Sequence, residues 1–145
     1  FAASNPRLYL LHTLAHVLIR QLSFDCGYPS ASLRERLYLS NSNDGVAMGG
    51  LLIYTAEADA EGSMGGLARQ AAYDNFALTL DRALSNARWC SLDPVCTESR
   101  GAHNGMNKAA CHACCLAPET ACELWNLHLG REFLIGSTRG LSFFE

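Results

Sequence analysis

The chain has 145 residues, 49% of them hydrophobic, and a net charge of −3. That length can bury one core and no shift in composition marks a second, so residues 1–145 are expected to form a single domain. No apolar run approaches the roughly 18 residues of a membrane span, and the acidic balance argues against a surface that grips nucleic acid by charge alone.

Asn5-Pro6 makes an N-cap and first-turn pair, after which Leu8, Leu11, Leu14, Ala15, Leu18 and Leu22 recur at helical spacing until Gly27 and Pro29. A mostly buried first helix is expected. His12 and His16 lie four apart on it, and with no Glu-x-x-His zincin pattern around them they read as packing or hydrogen-bonding histidines rather than ligands. From Ser32 to Leu39, Leu33, Leu37 and Leu39 alternate with Arg34, Arg36 and Tyr38, the period of a half-exposed strand. Asn41 to Gly45 is a turn by composition, and the apolar run from Met48 to Thr55 reads as a buried strand paired with the first.

Glu57, Asp59 and Glu61 then precede Gly62, Ser63, Met64, Gly65 and Gly66. A glycine loop between strand and helix can admit a phosphate or let two backbones approach. Here the acids oppose a phosphate, and neither Walker spacing nor Gly-x-Gly-x-x-Gly is present. The three acids are either a candidate magnesium site for nuclease chemistry or solvated turn residues. Asp74 is placed to cap a helix whose stripe is Phe76, Leu80, Ala83, Leu84 and Ala87, ending near Trp89. Thr120-Ala-Cys-Glu123, after Pro118, has the form of a capping box opening a final helix through Trp125, Leu127, Leu129 and Phe133, with Cys122 in its first turn. The fold class is α+β: a small sheet packed by three main helices, with a cysteine-rich loop near the C-terminal helix.

Six of the seven cysteines, Cys90, Cys96, Cys111, Cys114, Cys115 and Cys122, fall in the segment 90–122. Cys111-His-Ala-Cys114 has the spacing at which two thiolates bite one tetrahedral ion without straining the backbone, and a second pair can complete four-coordination. One structural Zn2+ is the expectation. A disulfide framework needs an oxidising compartment, and no signal-like hydrophobic start is present, although a start at Phe1 without methionine reads as an excised fragment. A redox pair would follow a strand and open a helix, whereas this one follows Asn104, Gly105 and Asn107 and precedes Pro118. Cys111 and Cys114 are the safest ligands, Cys90 and Cys96 form a looser second pair, and Cys122 competes for one of those two places. Cys115 should point away as a packed thiol, Cys26 should be buried alone, and His103 and His112 rank below the thiols. Four thiolates around Zn2+ leave a formal −2, which Arg88, Arg100 or Lys108 would offset. Such a closed site stabilises rather than catalyses.

Leu11-His-Thr-Leu-Ala-His16, the Gly65-Gly66 turn, Trp89-Cys-Ser-Leu-Asp-Pro-Val-Cys96, Asn107-Lys-Ala-Ala-Cys-His-Ala-Cys114 and Pro118-Glu-Thr-Ala-Cys-Glu123 together resemble the MrfA-type zinc-binding domain, over nearly the whole chain. The resemblance implies a cytoplasmic bacterial protein of the DISARM antiphage-defence type, acting beside a DNA helicase partner, a subunit resembling DrmA. It implies a zinc-binding module, C-terminal in a larger protein, and no self-contained catalyst. The family's paired cysteines before the knuckle match Cys90 and Cys96, and some members carry a further cysteine matching Cys122. Where the family usually has Asp-Arg near its last helix, this chain has Gly130-Arg131. The leading function is then a non-catalytic accessory domain supporting partner assembly and DNA engagement. Its rivals are a metal-dependent nuclease or hydrolase using Asp59, Glu61 and His12 or His16, and a scaffold that contacts protein only.

Overall fold

The computed structural model describes residues 5–40, 48–55, 66–99, 105–136 and 144. Helix α1 (Pro6–Cys26) starts and stops as its ends dictate. The Asn5 side chain accepts the Arg7 N–H at 3.1 Å, and Gly27 takes a left-handed φ of 75° while its N–H bonds the Ser23 carbonyl. Leu8, Ala15, Leu18, Ile19 and Leu22 are buried, and so are Tyr9, His12, Thr13, His16 and Val17. The helix is covered on more than one side because the sheet, the helix at Tyr73–Ala87 and the C-terminal segment all pack against it.

β1 (Leu33–Leu39) and β2 (Gly49–Thr55) form a two-stranded antiparallel sheet in the register Leu33 to Thr55, Glu35 to Ile53 and Leu37 to Leu51. Leu33 and Glu35 are buried together, so the inward face carries a carboxylate among its apolar side chains. β2 is not the buried strand its composition suggests. Leu52 and Tyr54 are 46% and 40% exposed, because a sheet of two strands has only one covered face. The turn at Asn41–Gly45 and the acidic glycine loop up to Gly65 lie outside the described residues.

After the short α2 (Gly66–Gln70), helix α3 (Tyr73–Ala87) follows. Its N-cap is Ala72, with no side-chain cap, and Asp74 falls in the first turn instead of capping it. Ala83 and Ala87 are buried and Leu80 and Leu84 half-buried, but Phe76 is exposed. A cis Asp93-Pro94 bond precedes α4 (Val95–Glu98). The main core joins Val17, Leu18, Ala83, Ala87, Leu129 and Leu134 with Cys90, Cys96, Cys114 and Cys115, so the sulfurs are part of the packing. A fully buried leucine there stabilises by about 1.5–3 kcal/mol. Ile19, Leu22, Tyr28 and Leu33 make a smaller cluster beneath the sheet.

The expected final helix does not form. Glu119–Ala121 is a 3-10 turn, the next residues wind irregularly, and only Glu132–Ile135 (α5) is helical. Trp125, Asn126 and His128 have φ of 57°, 59° and 61°, outside any right-handed helix. The N–H groups of Leu124 and Asn126 point at the Cys122 sulfur, at 3.3 and 3.2 Å, instead of at helix carbonyls. The Asn126 amide spans the backbone N–H and C=O of Ala117, both at 2.9 Å. Among the described residues no helix is long and apolar enough to cross a membrane.

Candidate metal centre

Cys90 arrives just past α3, where Asp93 Oδ2 accepts its N–H at 3.0 Å, and Cys96 sits in α4. The knuckle is a tight turn in which the N–H groups of Cys114 and Cys115 bond the Cys111 carbonyl at 3.1 and 2.9 Å. The N–H of Cys111 points at Cys114 Sγ at 3.3 Å and that of Leu92 at Cys90 Sγ at 3.4 Å, contacts that favour thiolate sulfur. The four sulfurs of Cys90, Cys96, Cys111 and Cys114 all lie within 4.8 Å of one another. The separations are 3.5 Å for Cys90–Cys111, 3.8 Å for Cys96–Cys114 and 3.7 Å for Cys111–Cys114. Zn–S bonds of about 2.3 Å set a tetrahedron whose edges are about 3.8 Å, whereas a disulfide needs about 2.05 Å. The cysteines are free thiols placed on tetrahedral edges.

Crowding four thiols without an ion separates their proton affinities. Burial pushes the Cys90 thiol up, and burial with the field of Cys114 pushes Cys96 further the same way. A hydrogen bond from Cys115 pulls Cys114 down to about 5. Cys115, fully buried, stands outside the four sulfurs and acts on them through this bond.

The cation beside the cluster is Arg131, 1% exposed, and not the residues favoured from sequence. Arg88 is exposed, Lys108 lies 5.6 and 5.5 Å from the Tyr9 and Phe133 ring centroids, and Arg100 lies outside the described residues. Arg131 donates to Asp93 Oδ1 at 2.6 Å, to Thr97 Oγ1 at 3.1 Å, and to the carbonyls of Ala87 and Ala109, both at 3.3 Å. Burial opposes its charge, but the Asp93 bond and the field of Cys114 outweigh this and push its pKa up. The same bond holds Asp93 down to about 2. Gly130 leaves no room for a side chain, since a Cβ would stand 2.7 Å from the Phe133 ring. The carboxylate that Arg131 meets is that of Asp93.

Cys122 does not join the four. Its sulfur lies 3.2 Å from His12 Nε2, in a second group with His16 and Glu35. His12 and His16 are wholly buried, their Nε2 atoms 3.0 and 3.5 Å from Glu35 Oε1, and His16 Nδ1 bonds the Cys115 carbonyl at 2.8 Å. Burial works against charge on His16, but contact with Cys122 and Glu35 raises it to about 9. Burial likewise opposes charge on Glu35, and the two histidines hold it down to about 2. Sequence reasoning passed over Glu35. Its signal was an acid at an inward position of an alternating strand, where a charge needs partners. His112 is exposed, Cys26 is only half-buried, and His103, Asp59 and Glu61 lie outside the described residues.

The family described as MrfA Zn-binding domain matches residues 14–115, which include all four clustered cysteines but not Cys122. The DISARM protein DrmB of Bacillus paralicheniformis is 41% identical over 127 residues, covering 87% of this chain and 22% of that protein. The chain thus spans less than a quarter of that relative's length. A match over most of the chain, which takes in four cysteines whose sulfurs converge as a metal-binding group, makes this chain a member of the MrfA Zn-binding domain family.

Proposed function

We propose that Cys90, Cys96, Cys111 and Cys114 hold one structural Zn2+, and that the chain is a non-catalytic accessory domain of a bacterial antiphage-defence protein related to DrmB. In this reading it helps that protein assemble in the cytoplasm with a helicase subunit resembling DrmA, and DNA is engaged through the complex. The observation that carries the reading is the set of sulfur separations at tetrahedral edges. Four protein thiolates leave the ion no open position for water or substrate, so its contribution is to fold and position the chain. Arg131 offsets part of the formal −2 from within the core.

Assembly is favoured by what the zinc segment presents outward. Trp89, Leu92 and Val95 are 71%, 52% and 73% exposed, interleaved with Cys90 and Cys96. An exposed tryptophan with apolar neighbours, held on a rigid backbone, is the kind of anchor that protein interfaces use. The net charge of −3 makes contact with DNA through a partner the simpler route.

Comparison of the purified protein with Cys111→Ser tests this. One equivalent of zinc should be lost by elemental analysis, the melting temperature should fall, and the helicase subunit should no longer co-purify. Full zinc content with unchanged melting would overturn the site. Loss of zinc with helicase co-purification intact would overturn the accessory role.

A further inference from the structure

We propose that His12, His16, Glu35 and Cys122 form a second metal site, separate from the four cysteines, for a divalent ion of the zinc class. Their donor atoms all lie within 4.8 Å of one another, and they come from α1, β1 and the loop after the 3-10 turn. His12 and His16 are 0% exposed and Glu35 2%. Two buried polar atoms without a hydrogen-bond partner belong to this one cluster, His16 Nε2 and Glu35 Oε2, while His12 meets the group through Nε2 and its unpartnered Nδ1 lies on the other side of the ring. Such orphans are uncommon in folded proteins, and their concentration at one point calls for a ligand.

The hydrogen bonds around the cluster orient it for an ion. His16 Nδ1 is committed as donor to the Cys115 carbonyl, so Nε2 is the nitrogen that faces the group and would offer its lone pair to an ion that displaces its proton, the usual arrangement behind a metal-bound histidine. Cys122 Sγ accepts two backbone N–H groups, the same device seen at Cys90 and Cys114. Glu123 N–H bonds Glu35 Oε1 at 3.2 Å and fixes that carboxylate.

Hydrogen bonding alone does not account for the convergence. His12 Nε2 is 3.2 Å from Cys122 Sγ and 3.0 Å from Glu35 Oε1, and one N–H divided between both is a weaker three-centre bond that leaves His16 Nε2 and Glu35 Oε2 unsatisfied. Nor is the group a nucleophile relay. In a triad the third residue holds the histidine by its other nitrogen, whereas here thiol and carboxylate both meet Nε2. A tetrahedron with bonds of about 2.0–2.3 Å has nitrogen–oxygen and nitrogen–sulfur edges of about 3.3 and 3.6 Å. The observed 3.0, 3.5 and 3.2 Å lie within a few tenths of these. With both imidazoles neutral as ligands, carboxylate and thiolate carry −2, which a divalent ion matches. Imidazole, carboxylate and a single thiolate in a closed four-ligand set suit zinc in a structural role.

The test is zinc content and X-ray absorption on the purified protein, with Cys122→Ser and Glu35→Gln beside it. Two zinc ions per chain are expected, surrounded by about five sulfur and three nitrogen or oxygen neighbours for every two ions. Each variant should lose one equivalent and leave a shell of sulfur alone. One zinc per chain with an all-sulfur shell in the unmodified protein would overturn the second site while leaving the first intact. Retention of both ions in Cys122→Ser would overturn the ligand assignment. The unmodified protein decides the matter even where a variant fails to fold.

Discussion

Arg131 shows how one side chain ties the sulfur cluster to the rest of the core. Its guanidinium serves Asp93, Thr97 and the carbonyls of Ala87 and Ala109, joining α3, the Cys90–Cys96 turn and the segment before the knuckle. Arg131→Met keeps the volume and removes every one of these bonds, leaving Asp93 without its cation. A loss of about 3 kcal/mol is expected in denaturant unfolding at saturating zinc, with zinc affinity weakened about tenfold or more as the −2 of the site goes uncompensated. A loss below about 1 kcal/mol would show that the buried guanidinium does not hold the site together. Spacing alone does not reveal this residue. Arg88, Arg100 and Lys108 are nearer in sequence to the cysteines, and it is the bridge between Lys108 and Gly130, with the Arg131 N–H on the Lys108 carbonyl at 3.1 Å, that sets Arg131 beside the segment leading to the knuckle.

Elements governed by local signals were legible, and elements governed by sulfur were not. Asn5-Pro6 and Gly27 bound α1, alternation marks β1, and the stripe through Ala83 and Ala87 marks α3. Thr120 to Glu123 has the letters of a capping box, but Glu123 turns away from the chain start it would cap. Its carboxylate instead takes the Arg36 guanidinium at 2.7 Å and the Leu37 N–H at 2.8 Å on β1. With Cys122 Sγ taking the Leu124 and Asn126 N–H groups and the Asn126 amide tied back to Ala117, no helix ladder remains to propagate. Asn126→Ala should therefore destabilise by about 2 kcal/mol, since it strips two hydrogen bonds from Ala117 and puts alanine in a left-handed φ that asparagine tolerates better. An unchanged thermal melt would mean that the sulfur contacts alone shape this loop.

Across the whole molecule, the Cys-x-x-Cys spacing was readable because both ligands share one turn, while the group of residues 12, 16, 35 and 122 is assembled only by packing of α1 against β1 and the last loop. The thiol chemistry gives a prediction at this scale. In the ion-free protein Cys90 and Cys96 hold their protons above the usual thiol range, and each must release one to coordinate. Calorimetric zinc titrations in buffers of different ionisation heat, on Cys122→Ser so that the four-sulfur site is read alone, should show at least two protons released per ion and weaker binding as pH falls. Release of fewer than two would contradict thiol protonation in the empty site. The contact between His12 and Cys122 spans 110 residues, and that between Thr13 and Gly130 spans 117. A ribosome adding roughly 5–20 residues per second delivers Cys122 on the order of 5–20 s after His12. During synthesis the first helix is thus made long before the groups that satisfy its histidines exist, and it must stay solvated or be held by a chaperone until the last loop emerges.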